Sequence, residues 1–194
     1  MNTFKTISKA CWTLPLIVWQ LPAEDKPQPK INADAAIVRD FQKRVEDYHK
    51  LRKTVEQKLS ALKQTESQAA IQGHEEGIAA GIREARGAAK QGDIFSPQIT
   101  AEFRRLIGMS MQGADAKRIK ESLKSSEPVQ LPLKVNDTYP SKLPLQSTPP
   151  TLLMNLPKLP DELEYRLVGR SLVLRCAKGN LIVDFIPNVM PPAL

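Results

Sequence analysis

Apolar residues recur at helical spacing from Ile37 to Leu62, the longest periodic stretch of the chain. Steps of three, four and seven residues place these side chains on one narrow stripe of a helix, of the kind that forms a coiled-coil seam. The stripe consists of Val38, Phe41, Val45, Tyr48, Val55, Leu59 and Leu62. Arg52 occupies the one position where the pattern predicts an apolar residue, and Leu51 beside it can cover that gap if the seam drifts slightly. Because an isolated helix of this kind is marginal in water, the stripe predicts a packing partner within the chain or in a second chain.

A second helix is predicted after Leu62, because the apolar phase is lost there and resumes at Ile71 in a different register. Glycine at every fourth position, Gly73, Gly77 and Gly81, leaves bare backbone on one side of this helix. That spacing favours close packing against the first helix, as a helical hairpin. The alternative is a segment that stays mobile, since each glycine costs about 1 kcal/mol relative to alanine in a helix.

Two shorter helices are predicted next. Ser96 followed by Pro97 is the preferred order of a cap residue and a proline in the first helical turn. The apolar face of this third helix consists of Phe103, Leu106 and Ile107. A fourth helix is predicted at Ala114–Leu123, after Gly113.

The pattern changes from helical to alternating after residue 127. Residues 129–135 alternate apolar and polar side chains, which predicts a strand, and Pro132 restricts it to a sheet edge. Residues 139–160 contain six prolines among leucines, and the leucines predict that this segment drapes over the protein. Hairpin turns then join three short predicted strands, Leu163–Val168, Leu172–Cys176 and Leu181–Ile186.

These elements predict an α+β fold, with an N-terminal helical hairpin, two shorter helices and a small antiparallel C-terminal sheet of three or four strands. The chain is long enough for one ordinary domain with a tail. The predicted organisation is a signal peptide at residues 1–23, a linker at 24–31, a helical region at 32–126, a proline-rich segment and sheet at 127–188, and a tail at 189–194.

The first 23 residues have the layout of a secretory signal peptide. Lys5 and Lys9 precede the mostly apolar stretch Ala10–Leu21, and cleavage after Ala23 is plausible. The apolar stretch is shorter than the roughly 20 residues that a membrane-spanning helix needs. We therefore expect export to the periplasm or the exterior, with no stable membrane span in the mature chain. The alternatives are that these residues form an uncleaved membrane anchor, or that the start of the protein sequence was assigned at the wrong position.

Charge and residue chemistry exclude several classes of function. The formal net charge is +7, or +5 without the leader, but basic and acidic residues are interleaved, which argues against a nucleic-acid partner. His49 and His74 are the only histidines, and neither has a second histidine or a cysteine pair at ligand spacing. No phosphate-binding loop or nucleophile elbow is present. The sequence thus predicts no catalytic, cofactor-binding or metal site.

Three positions have two interpretations each. Asp184 is the one acid in an apolar strand, and we expect it to face solvent or to pair with Arg166 or Arg175, with a functional carboxylate as the alternative. Cys176, the only cysteine after the leader, is predicted to be a small core residue and not a reactive thiol. Residues 136–138 match a glycosylation acceptor, which matters only in a eukaryotic secretory pathway.

Three segments, GDIFSP at 92–97, PPTLLMNLPKLPDELEYRLVGRSLVLR at 149–175 and NLIVDFIPN at 180–188, resemble a group of small exported bacterial proteins of unknown function. The resemblance implies export and no activity, cofactor or catalytic residue.

The function that we expect is that of a non-enzymatic envelope protein, with a protein partner or self-association through the helix stripe. The proline-rich segment 140–160 is a further candidate contact region. The alternative is a hydrolase or a small-ligand-binding module, with Asp184, Tyr165 and arginines under that segment.

Overall fold

The computed structural model describes residues 33–59, 67–112, 116–124, 131–140 and 150–190. The helices in these ranges are α1 (Ala33–Lys58), α2 (Gln68–Ala85), α3 (Pro97–Ser110), α4 (Ala116–Lys124) and α5 (Pro150–Leu153). The strands are β1 (Leu163–Val168), β2 (Ser171–Cys176) and β3 (Leu181–Ile186). The predicted α+β fold is confirmed. The predicted leader and linker lie outside the described residues, and none of the described helices is long and apolar enough to cross a membrane.

The sheet is antiparallel, with β2 in the centre between β1 and β3. Both turns use left-handed backbone, at Gly169 (φ 55°) and Asn180 (φ 45°), as the predicted hairpins require. One face of the sheet packs in the main core, and its members on β1 and β2 are Leu163, Tyr165, Leu167, Leu172, Leu174 and Cys176.

The strand predicted at 129–135 is wrong for the part that the structure describes, which carries no strand. The chain turns at Val135 and Asn136, and Asn136 has left-handed backbone (φ 67°). From this turn onward the segment pairs with β3 only locally: Asn136 N donates to Ile182 O at 2.8 Å, and Tyr139 N donates to Asn180 O, just before β3, at 2.7 Å. The segment therefore covers part of the outer edge of β3 without becoming a fourth strand.

The described members of the apolar stripe, from Val38 to Leu59, are buried or partly buried within a single chain, and Leu62 lies outside the described residues. Phe41, Val45 and Tyr48 lie in the main core, and the Phe41 ring packs 5.7 Å from that of Phe95 and 5.3 Å from that of Phe103, centroid to centroid. The stripe thus finds its cover inside the molecule, against α2, α3 and the sheet.

Helices α1 and α2 form the predicted hairpin, with close approach at two of the three spaced glycines. A Cβ placed on Gly81 would lie 2.5 Å from Val55 Cγ1, and one on Gly77 would lie 3.4 Å from the Leu59 methyl groups. No atom lies within 4 Å of the same position on Gly73. Gly81 therefore sets the helix separation, whereas Gly73 takes no part in the contact.

We expect Gly81→Ala to lower the free energy of unfolding by about 1–2 kcal/mol, because the overlap with Val55 outweighs the gain in helix propensity. Gly73→Ala makes the same chemical change without the overlap and should raise the free energy of unfolding by about 0.5–1 kcal/mol. Urea unfolding followed by circular dichroism measures both. Equal shifts for the two variants would show that Gly81 does not set the spacing.

The described part of the proline-rich segment, residues 150–160, packs on the protein as predicted. It begins with α5, which the sequence pattern did not predict, and Leu152 and Leu156 are buried in the main core. Tyr165 Oη donates to Pro157 O at 3.0 Å and fastens the segment to β1. Met154 points outward and is 78% exposed. Residues 141–149 lie outside the described residues.

Candidate functional site

An open cavity of about 860 Å³ lies where the C-terminal end of α1, the first half of α2 and the turn between β2 and β3 meet. Its size lies within the range of ligand-binding clefts, about 300–1,000 Å³. Gly179 allows the turn to approach α2, since a Cβ there would lie 3.2 Å from Ile78 Cγ2. The described lining consists of Lys53, Glu56, Gln57, Leu59, Ile71, His74, Glu75, Ile78, Ala177 and Lys178.

Beside this cavity, four charged side chains form an ion-pair network that joins α1 to the sheet. Arg52 pairs with Glu162 and, at 2.6 Å, with Glu56. Lys178 Nζ lies 2.7 Å from Glu56 Oε1 and 2.6 Å from Glu162 Oε1. The network holds two cations and two anions, so its formal charges balance, and two of its members, Glu56 and Lys178, line the cavity.

Arg52 itself lies in the buried stripe of α1, at the position where the pattern predicts an apolar residue. It is 1% exposed, and the charge is tolerated because both its carboxylate partners reach it. Leu51 is only partly buried against the core and does not replace Arg52 in the stripe. Glu162, just before β1, has left-handed backbone (φ 73°). Such a conformation costs of order 1–3 kcal/mol and persists only where the surroundings over-determine it, as these ion pairs do.

The network should make stability depend on pH in the acid range. The hydrogen bond from Lys178, followed by that from Arg52, holds the pKa of Glu56 below its ordinary value of 4.5. A carboxyl whose folded pKa is depressed contributes stability that is present above the unfolded pKa and is lost as pH falls through the folded value. We therefore expect Glu56→Gln to reduce the loss of stability on acidification below pH 4.5. Urea midpoints over a pH series measure it, with Glu46→Gln on the exposed face of α1 as control. Identical acid profiles for wild type and Glu56→Gln would contradict the assignment.

The remaining polar groups of the cavity are not used by the fold in its described part. Lys53 on α1 and Glu75 on α2 have no ion pair or hydrogen bond with another described residue, nor has the His74 side chain. The apolar part of the lining includes Ile71, which is 46% exposed although it is a large aliphatic residue. A ligand would thus meet an apolar surface with one unpaired cation and one unpaired anion beside it.

Asp184 does not face solvent, and it pairs with neither Arg166 nor Arg175, so that expectation is wrong. Its side chain is fully buried, with 0% exposure. The carboxylate accepts hydrogen bonds from four backbone N–H groups, those of Gly92, Ile94, Phe95 and Phe185, at 2.8–3.0 Å for the shortest contact to each. Asp184 therefore anchors the loop between α2 and α3 to the sheet.

A β-bulge places Asp184 on the inner face. The register pairs Leu174 with Asp184 but Arg175 with Ile182, so Val183 is the extra residue of β3. Simple alternation along the strand would put Asp184 on the same face as Ile182. The bulge instead sends Val183 and Asp184 inward together, toward the helices.

The arginines expected near Asp184 lie on the outer face of the sheet and pair with another acid. Glu164 Oε2 pairs with Arg166 at 2.5 Å, and Glu164 Oε1 with Arg175 at 2.6 Å. Burial would raise the pKa of Glu164, but the two guanidinium hydrogen bonds outweigh it and hold this pKa below the ordinary value. The Arg175 guanidinium also stacks 4.9 Å from the ring centroid of Tyr139. These charged side chains on the outer face of the sheet are therefore engaged in contacts that hold the fold together.

The other candidate residues also have structural roles. Burial raises the pKa of Tyr165, whose hydroxyl is bound to Pro157. Cys176 is fully buried and unpaired by a disulfide, as predicted for a core residue. Asn136 Nδ2, the atom that a glycan would take, donates to Arg86 O at 2.9 Å, where it closes the C-terminal end of α2.

His49 and His74 lie on different helices, as predicted. Among the described residues, no group of three or more His, Cys, Asp or Glu side chains is placed to hold a metal ion. The sequence pattern did not point to Glu56, Glu162 or Lys178. Its one signal was Arg52, a charged residue within an apolar stripe.

Comparison with protein-family models, with curated proteins and with solved structures finds no match for this chain. The resemblance to exported bacterial proteins thus remains a prediction.

Proposed function

We propose that this protein is a non-enzymatic interaction module, exported to the bacterial envelope or exterior, and that its cavity between α1, α2 and the β2–β3 turn binds a segment of a partner polypeptide. The observation that carries the proposal is the cavity itself, with a partly exposed apolar wall and unpaired groups of both charges. Peptide-binding grooves combine these features, since apolar side chains supply most of the affinity and polar groups fix the orientation.

The geometry favours this function over a hydrolase or a ligand site under the proline-rich segment. Tyr165 and Asp184, the polar residues named for such a site, are both engaged in contacts that hold the fold together. The described part of the segment, residues 150–160, contributes no side chain to the lining of the cavity.

The proposal is tested by selecting random peptides displayed on phage against the full-length protein. We expect peptides to be enriched, and Ile71→Glu to weaken their binding at least about tenfold, which corresponds to 1.4 kcal/mol for placing a charge in the apolar contact. Met154→Glu is the matched control, because it puts the same charge on an exposed apolar residue outside the lining. No enrichment, or equal binding to wild type and Ile71→Glu, would rule the cavity out as the binding site.

A further inference from the structure

We infer that the bound segment carries an acidic side chain that meets Lys53 and a basic side chain that meets Glu75, with an apolar side chain between them. This inference rests on the proposed function, and it names the chemistry of the partner that the cavity would select.

The fold already neutralises two of the charges that line the cavity. Glu56 and Lys178 line the cavity, but they bind each other and are also held by Arg52 and Glu162. Their charges balance within that network, so they offer a ligand little net attraction. The network also holds these two side chains in place, which makes them a preformed wall of the cavity.

The charges that remain have opposite signs and lie on different helices. Lys53 is on α1 and Glu75 on α2, and neither has an ion pair with another described residue. The apolar part of the lining is formed by Leu59, Ile71, Ile78 and Ala177. A partner of one charge sign would be attracted by one of these side chains and repelled by the other. A peptide that carries both signs about an apolar side chain satisfies both, and charge complementarity of this kind sets orientation and partner choice.

The inference is tested with peptides enriched on the wild-type protein, by measuring their dissociation constants for charge-reversed variants. We expect Lys53→Glu to weaken binding by about threefold to fivefold, as for a partly solvated ion pair. Changing the acidic residue of the peptide to lysine should restore binding to Lys53→Glu. Glu75→Lys should behave likewise, with recovery when the basic residue of the peptide becomes glutamate. Lys50→Glu and Glu76→Lys are the matched controls, because they make the same charge changes on exposed neighbours outside the lining.

The outcomes separate the inference from the function on which it rests. In one outcome, Ile71→Glu abolishes binding, whereas Lys53→Glu and Glu75→Lys alter it no more than their controls do. That outcome would overturn the charge assignment and leave the binding site in place. Displacement of the peptide by an equal concentration of free amino acids would identify a small zwitterion as the ligand and overturn the inference. Binding unaffected by Ile71→Glu would refute the cavity as the site.

Discussion

Asp184→Ala is expected to lower the free energy of unfolding by about 4–6 kcal/mol. The carboxylate is fully buried and accepts from the backbone N–H groups of Gly92, Ile94, Phe95 and Phe185. Alanine would leave these donors without an acceptor in the core. Each donor that water cannot reach would lower the free energy of unfolding by about 1–3 kcal/mol. Since a domain of this size is stable by only about 5–15 kcal/mol, the variant would be close to unfolding.

Asp184→Asn gives a graded version of the same test. The amide keeps one oxygen acceptor but replaces the other with an NH₂ group that points at backbone donors, so we expect a smaller loss of about 2–4 kcal/mol. Asp47→Asn on the exposed face of α1 is the control and should change stability by less than about 0.5 kcal/mol. Urea unfolding at neutral pH measures all three variants. A loss of under about 1 kcal/mol for Asp184→Ala would show that the loop does not depend on this carboxylate.

Arg52→Ala should lower the free energy of unfolding by about 3–5 kcal/mol, because it empties a large buried volume and removes the shared partner of Glu56 and Glu162. Arg52→Met fills most of that volume with apolar atoms and should cost less, about 1–2 kcal/mol, since Lys178 still pairs with both carboxylates.

The two variants separate packing from charge at this position. Lys50→Ala, an exposed lysine on the same helix, is the control for loss of a positive charge and should be nearly neutral. Thermal and urea unfolding measure the series. Equal losses for Arg52→Ala and Arg52→Met would mean that the ion pairs outweigh packing, whereas no loss for either would contradict the structural role of the network.

Much of the secondary structure followed from local patterns. The period of α1, the register change before α2 and the Ser96–Pro97 start of α3 were all readable because a helix places residues three and four apart on one face. β1 and β3 match their predicted bounds, and β2 begins one residue earlier, at Ser171. The strand predicted at 129–135 was wrong because alternating apolar and polar residues indicate an extended chain, but they do not show whether a neighbouring strand is available to pair with it.

The candidate site was not predictable in the same way. Its lining comes from α1, α2 and the β2–β3 turn, and no local pattern shows that these three segments meet. Arg52 was visible as an exception within an apolar stripe. Its partner Glu162, and Lys178 that binds the same two carboxylates, lie more than a hundred residues further along the chain. Asp184 was misjudged because the bulge in β3 depends on the strand beside it.

By itself, the sequence determined the four longer helices and the three strands, most of their apolar faces, and hence the α+β class, because these properties depend on neighbours within a few residues. The tertiary structure alone decided that a buried arginine belongs in the helix seam, that Asp184 points inward, and that a cavity with two unpaired charges opens beside the hairpin. The physical reason is that burying a charge is tolerable only where distant partners converge on it, and that convergence exists only in the folded chain.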